Sequence, residues 1–207
     1  MRVYLLRHGE TAYNAQGKYL GRTDLPLTQS GRAALGPADF APERVYVSPL
    51  RRTAETAEIL FPRARQIVVP DFREMDFGVF EGRSWRDMAD FAPYRAWVDG
   101  NCRAPIPGGE SMELFSRRTC AAFADLMDRA AQVEAGGEGA GDPLVIVAHG
   151  GTQMAVLERF ALPRRDYFSW RGPLGGGFVL DGASSPSWRE HRTLSLLDTV
   201  RYTRGES

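Results

Sequence analysis

Lysine is all but missing: Lys18 is the only one, and every other one of the 26 basic residues is arginine. A base-composition bias accounts for that, although arginine's planar fork is also the better grip for a phosphate. Net charge is missing too, since 26 acidic residues balance the 26 basic ones. No overall field then draws the chain to nucleic acid or to an anionic membrane. Cysteine is scarce: Cys102 and Cys120 form neither a C-x-x-C pair nor a zinc-like spacing. Long apolar runs are lacking as well. The stretch Val3-Tyr4-Leu5-Leu6 is too short for a signal peptide, and nothing approaches a membrane span. A reduced, cytoplasmic protein is expected, monomeric or homodimeric, with no membrane or nucleic-acid partner.

What is present is enough for one large core. The 207 residues are 43% hydrophobic, which predicts a single domain over 1–207. Short β-branched runs predict strands at Val3–Leu6, Val45–Val47, Ile67–Val69, Leu144–Ala148 and Phe178–Leu180, with a weaker one at Glu190–Leu194. Helices separate them. Ser48-Pro49 reads as an N-cap and first helical position, with Leu50–Leu60 continuing the helix. Ser111 opens a longer helix whose residues Met112, Phe115, Phe123, Leu126, Ala130 and Val133 recur near helical spacing, and another helix follows Gly150-Gly151.

Buried strands alternating with helices predict an α/β fold. The expected form is a three-layer α/β/α sandwich around a mostly parallel sheet, with an antiparallel edge strand. The Gly-rich stretch 135–143 reads as a flexible loop, and the tail 202–207 as frayed. The segment 74–110, rich in aromatics, Pro and Gly, fits the rhythm least and reads as a cap over the carboxyl ends of the strands.

In open α/β sheets ligands bind beyond those carboxyl ends, so the residues just after each strand carry the information. Arg7-His8-Gly9-Glu10-Thr11 follow the first strand, Ser48-Pro49-Leu50-Arg51-Arg52 the second, and His149-Gly150-Gly151 follow Leu144–Ala148. Two of the three histidines and several arginines thus meet at one edge, beside helix N-termini that favour anions. His191, the third, falls on the weak strand and reads as a surface residue. Each residue alone has a plainer account: a polar residue at a strand end, a solvated arginine, a serine cap. Together they suit a phosphoryl group, whose oxygens take charge-assisted bonds from guanidinium and imidazole N–H groups.

The stretch Leu6-Arg7-His8-Gly9-Glu10-Thr11-Ala12-Tyr13-Asn14 resembles the signature of the histidine phosphatase superfamily, the phosphoglycerate-mutase-like group. Four more segments resemble that family in its order: Gly21–Thr28 with Gly31, Ser48–Ala57, Glu74–Gly78 with Glu81-Gly82, and Val145–Gly151. The resemblance implies His8 as a nucleophile that becomes phosphorylated. It implies Arg7, Arg52 and His149 as clamps on the phosphoryl oxygens, with Asn14, Gly21 and the Gly150 N–H assisting. Glu74 would be the acid that protonates the leaving oxygen and then the base that activates water, a role that asks for a raised pKa. No metal and no cofactor is implied. Arg51, beside Arg52, should be merely structural. The run Ala34-Leu35-Gly36-Pro37 departs from the family pattern and implies a shortened first helix.

Mutases of the family are longer, so hydrolysis of a small phosphorylated substrate is expected, with broad-specificity phosphatase or phosphoglycerate mutase as alternatives. Tyr94–Trp97, Pro105–Glu110 and Phe115–Arg118 resemble the alpha-ribazole phosphatase branch, whose members remove a 5′-phosphate from a benzimidazole nucleotide in cobalamin synthesis. The rings Phe77, Phe80, Trp85, Phe91, Tyr94 and Trp97 anchor the cap, and a few could stack on such a heterocycle. Other classes fit poorly. No G-x-x-x-x-G-K-S/T surrounds Lys18, and no arginine stands six residues after either cysteine, where Gly108 and Leu126 are found. G-x-S-x-G is absent. Clustered arginines would repel a metal ion. A non-catalytic phospholigand-binding scaffold should lack at least one of Arg7, His8, Arg52, Glu74 and His149, and none is lacking.

Overall fold

The computed structural model describes residues 1–136, 141–182 and 186–204. Along the chain run β1 (Arg2–Arg7), α1 (Ala12–Ala15), α2 (Gln29–Ala34), β2 (Arg44–Val47), α3 (Arg51–Leu60) and β3 (Arg65–Val68). Then come α4 (Ala92–Asp99), α5 (Met112–Ala135), β4 (Leu144–Ala148), α6 (Gly150–Phe160), β5 (Ala161–Leu162), β6 (Gly176–Asp181), α7 (Pro186–His191) and β7 (Leu194–Arg201). The middle of the expected loop 135–143 and the end of the expected frayed tail, residues 137–140 and 205–207, lie outside the described residues.

One sheet carries the order β3-β2-β4-β1-β6-β7-β5. Pairings of β2 with β3, β2 with β4, β1 with β4 and β5 with β7 are parallel, and β6 runs antiparallel to both β1 and β7. The architecture is the expected mostly parallel α/β sandwich, but the antiparallel strand lies inside the sheet, not at its edge. Alternation along the strands sorts the core into two layers. Val3, Leu5, Leu144, Ile146, Ala148, Phe178 and Leu180 face one side, against Phe115, Phe123 and Met127 of α5 and Val156, Leu157 and Phe160 of α6. Tyr4, Leu6, Val45, Val47, Val145, Val147 and Val179 face the other, against Ala57 and Leu60 of α3. Each buried aliphatic side chain contributes about 1.5–3 kcal/mol, so a one-residue slip of any central strand would forfeit several at once. Among the described residues no helix is long and apolar enough to cross a membrane.

Two sequence expectations change here. Residues Glu190–Leu194 are not a strand: Glu190 and His191 end α7, and the last strand runs from Leu194 to Arg201. The reason is Trp188, which is buried against Phe123 and Phe160 and donates its indole N–H to Asp128 at 3.2 Å. That anchor favours a helical turn, and the apolar run that can pair begins only at Leu194. His191 is indeed exposed, though on α7. Likewise α3 starts at Arg51, not Leu50, and no side chain caps it. Ser48 is occupied elsewhere. By contrast Ser111 accepts the Leu114 N–H at 3.2 Å at the start of α5, and α2 has only six residues.

Between β3 and α5 the chain makes short 3-10 turns at Pro70–Phe72 and Gly78–Phe80, then α4. Phe80, Met88, Trp97 and Ile106 bury themselves in the same core layer as α5 and α6. Tyr19 packs on Phe77, Tyr94 and Trp97 with ring centroids 5.0, 5.9 and 6.0 Å apart. Ring packing therefore continues the core out over the sheet end.

Trp188→Ala should lower unfolding free energy by about 3–5 kcal/mol, measured by urea denaturation. A loss below about 1 kcal/mol would show that α7 is not held by this ring.

Candidate active site

Register brings the two histidines together. In the parallel pair β1–β4, Arg7 lies opposite Ala148, so His8 and His149 leave adjacent strands side by side. The His8 N–H donates to the Ala148 carbonyl at 3.0 Å, and the rings sit 5.3 Å apart, edge to face. Val47 of β2 pairs with Val147, which puts Ser48 within reach of His149. Arg52, on the first turn of α3, completes the group.

The tautomers follow from the partners. His8 Nδ1 lies 2.7 Å from the Gly9 carbonyl, which can only accept, so Nδ1 carries the proton and Nε2 keeps its lone pair. Arg52 Nε, which can only donate, meets His149 Nδ1 at 3.3 Å. His149 Nε2 must then be protonated and donates to Ser48 Oγ at 2.8 Å. Ser48 also takes the Leu50 N–H and pairs with Thr53 Oγ1 at 3.0 Å. It orients an imidazole instead of capping a helix. Burial, with the charges of Arg52 and Arg7 beside it, holds His8 well below 6.5. Burial and Arg52 do the same for His149. Both imidazoles are neutral at pH 7.

Arg52 is fully buried and braced by carbonyls, Nη2 to Gly21 at 2.7 Å and Nη1 to Thr23 at 2.9 Å. Glu81 holds that loop, accepting the N–H groups of Gly21 and Thr23 at 2.8 and 2.9 Å. Arg7 Nη1 donates to Gly172 at 3.2 Å, while its buried Nε finds no acceptor among the described residues. Burial lowers both guanidinium pKa values to about 10, with Arg171 adding to the effect on Arg7. Both stay cationic.

Glu74 is buried at the start of α6. Its oxygens accept the Met75 N–H at 3.0 Å and the Gly151 N–H at 3.2 Å. Burial raises its pKa above 4.5 despite those bonds and the charges of Arg52 and Arg7. A Cβ on Gly151 would lie 2.2 Å from Glu74 Oε1, so only glycine leaves room for the carboxyl there.

These groups meet a cavity of about 510 Å³. Arg7, His8, Asn14, Glu74 and Gly150 line it, and Phe77, Trp85, Trp97, Tyr167 and Phe168 contribute walls. Arg52, His149 and Gly21 stand behind that surface. Asn14 Oδ1 is committed to Thr11, taking its N–H at 3.1 Å and its hydroxyl at 2.8 Å. Arg51 points away, paired with Glu55 at 3.2 Å. Sequence reasoning missed Arg171, which also lines the cavity. Residues just after parallel strands meet this edge, but antiparallel β6 presents its beginning to it, and Arg171 precedes β6; the Gly175 N–H on the His8 carbonyl at 3.1 Å marks the approach. Recognising β6 as antiparallel would have flagged it. Among the described residues no three His, Cys, Asp or Glu side chains gather as metal ligands would.

The buried imidazoles predict how stability depends on pH. The unfolded chain binds protons near 6.5 that the folded histidines refuse, so stability is complete above 6.5 and is lost as pH falls below it. Glu74, raised above 4.5, works the other way, but two imidazoles outnumber one carboxyl. His149→Gln should flatten the slope of unfolding free energy between pH 6.5 and 5 by about 1.4 kcal/mol per pH unit, one proton's worth, in urea titrations. An unaltered slope would mean a charged His149.

A family model described as the histidine phosphatase superfamily (branch 1) matches residues 3–181. An "Adenosylcobalamin/alpha-ribazole phosphatase" of Salmonella typhimurium is 30% identical over 193 residues, covering 87% of this chain and 90% of that one. A "Probable phosphoglycerate mutase GpmB" of Salmonella typhi is 36% identical over 137 residues, covering 62% and 64%. The crystal structure of the alpha-ribazole phosphatase from Shigella flexneri superposes with a TM-score of 0.75 at 24% identity, covering 100% of both chains, and so shares the fold. The chain belongs to the histidine phosphatase superfamily, branch 1.

Proposed function

We propose that this chain hydrolyses a small phosphate monoester through a phosphohistidine at His8. The observation that carries the reading is the Nδ1–H bond from His8 to the Gly9 carbonyl, which leaves the Nε2 lone pair as the only ring nucleophile, beside Arg7 and Glu74. Nε2 attacks phosphorus while the ester P–O bond breaks, and the leaving oxygen takes the proton of Glu74. Water then gives a proton to the Glu74 carboxylate and attacks phosphorus. The N–P bond breaks, inorganic phosphate leaves, and His8 is neutral again. Arg7, whose buried Nε has no acceptor among the described residues, would bind the phosphoryl oxygens directly. Arg52 and Arg171 add positive charge beside His8 and Arg7. For His149 to bind an oxygen it must give up its bond to Ser48, so its first duty is to orient Arg52. Guanidinium charge in place of clustered carboxylates suits a reaction that runs without a metal ion.

The aromatic walls suit an apolar leaving group, and alpha-ribazole 5′-phosphate is the substrate we favour, as in the relative of that name. Lys18 and Arg171 on the same cavity favour a second reading, a substrate with another anionic group such as phosphoglycerate, which is the mutase activity the GpmB name carries.

Quenching during turnover of an activated aryl phosphate should yield an acid-labile, alkali-stable phosphoprotein, close to one phosphate per chain. His8→Ala should yield none and lose about a thousandfold or more in kcat/KM, with the wild type unaffected by EDTA. Phosphorylation persisting in the variant would sink the nucleophile. In a panel with O-phosphoserine, phosphoglycerates, sugar phosphates and nucleotides, alpha-ribazole 5′-phosphate should lead by about a hundredfold in kcat/KM. Interconversion of 2- and 3-phosphoglycerate at comparable efficiency would replace the hydrolase reading with the mutase one.

A further inference from the structure

Arg118, on α5, does not line the cavity, yet every one of its donors is committed close to Glu74. Nε and Nη2 fork the carboxylate of Glu110, both at 2.8 Å. Nη1 donates to the carbonyls of Asp71 at 2.8 Å and Arg73 at 2.9 Å, and Nη2 also to that of Glu74 itself at 3.2 Å. A guanidinium has five N–H groups, and five acceptors meet it here. It has nothing left to offer a ligand. Glu110 works on the same backbone from the other side: its N–H donates to the Asp76 carbonyl at 2.9 Å and its carboxylate accepts the Asp76 N–H at 3.4 Å. The two chains touch along their backbones just beyond. A Cβ on Gly109 would lie 2.5 Å from the Asp76 carbonyl, and one on Gly78 would lie 2.3 Å from that of Pro107.

We propose that Arg118 and Glu110 form a positioning pair for Glu74. They fix the backbone from Asp71 to Asp76, and with it the place from which the Glu74 carboxyl reaches Met75, Gly151 and the cavity. The inference rests on the reading of Glu74 as proton donor. The acid needs such support because its own side-chain bonds are two backbone N–H groups, one belonging to its immediate neighbour. A proton must pass over a hydrogen-bond distance, and small misplacement slows the step severely. Lysine could hold the charge but not the bidentate fork plus three carbonyls.

The test compares kcat/KM, which reports the phosphorylation step, for p-nitrophenyl phosphate and for a simple alkyl phosphate whose leaving oxygen needs a proton. Glu74→Gln should depress the alkyl ester selectively. Arg118→Lys and Glu110→Gln should do the same, by about tenfold on the alkyl ester and less than about threefold on the aryl one, with thermal midpoints recorded alongside. Glu74→Gln combined with Arg118→Lys should be no slower on the alkyl ester than Glu74→Gln alone. Exposed Arg117→Ala serves as control and should leave both esters unchanged. Equal losses on both esters, or additive losses in the double variant, would overturn the positioning role and leave Glu74 as the acid. No leaving-group selectivity in Glu74→Gln itself would overturn both. Should Arg118→Lys fail to fold, Glu110→Gln carries the same comparison.

Discussion

The parallel register of β1 against β4 is the constraint on which the active end depends. Because Arg7 faces Ala148, His8 and His149 emerge on neighbouring strands at the same level, and their rings meet edge to face. Side chains alternate with a period of two, so a slip by one residue would turn one imidazole into the opposite layer. It would also drive Val3 and Leu5 out of the layer they share with Ile146 and Ala148. Apolar packing along the strands thus enforces the geometry of polar groups at their ends. β2 extends the same logic, since its pairing with β4 delivers Ser48 to His149 and starts α3 where Arg52 can enter.

Around that pair the charges are deliberately one-sided. The guanidiniums of buried Arg52 and half-buried Arg7 flank neutral imidazoles, while Glu74 is pushed by burial toward its neutral form. Burying a cation costs several kcal/mol unless its donors are satisfied. Carbonyls of Gly21, Thr23 and Gly172, with His149 Nδ1, take four of those donors without cancelling the charge. What remains is a fixed positive field in which the buried Arg7 Nε has no acceptor among the described residues. A phosphoryl group would complete it with little reorganisation, and that is the arrangement that stabilises charge developing in a transition state. The low histidine pKa values belong to the same balance: the field that would attract an anion also expels the proton that would disable His8 as the nucleophile we propose.

Much of this was legible in the sequence, but unevenly. β4 and the site's histidines could be read from β-branched runs and strand ends, because parallel strands advertise their active edge just after each run. Arg171 escaped because β6 is antiparallel and shows that edge its beginning. Ser48 reads as a helix cap in the sequence, since Ser-Pro before a helix is explained locally, whereas its partner His149 lies 101 residues away. The sequence pattern puts the last strand too early because nothing local shows that Trp188 is anchored by Phe123 and Phe160. Glu74 could be recognised only by resemblance, as no periodicity marks a carboxyl held at the N-terminus of a remote helix. Long-range pairing is what local pattern cannot supply.

The two tasks of the site are built on different parts of the chain. On the proposed reading, grip on the phosphoryl group belongs to the sheet and the helices that start from it, through Arg7 and His8 with Arg52 and His149 behind them. Glu74 instead lies on the segment that also provides Phe77, Trp85 and Trp97 to the cavity wall. That segment is fastened from behind by Arg118 and Glu110 and from above by ring packing on Tyr19. On that reading the walls that would meet a leaving group and the carboxyl that would face its oxygen form one mechanical unit, set on α5 instead of the sheet. Sequence change in that segment would then retune which ester is accepted while the proposed phosphate-binding end stays as it is, but only if the Arg118 fork survives. A cap that lost it would keep its rings and lose the alignment that makes them useful.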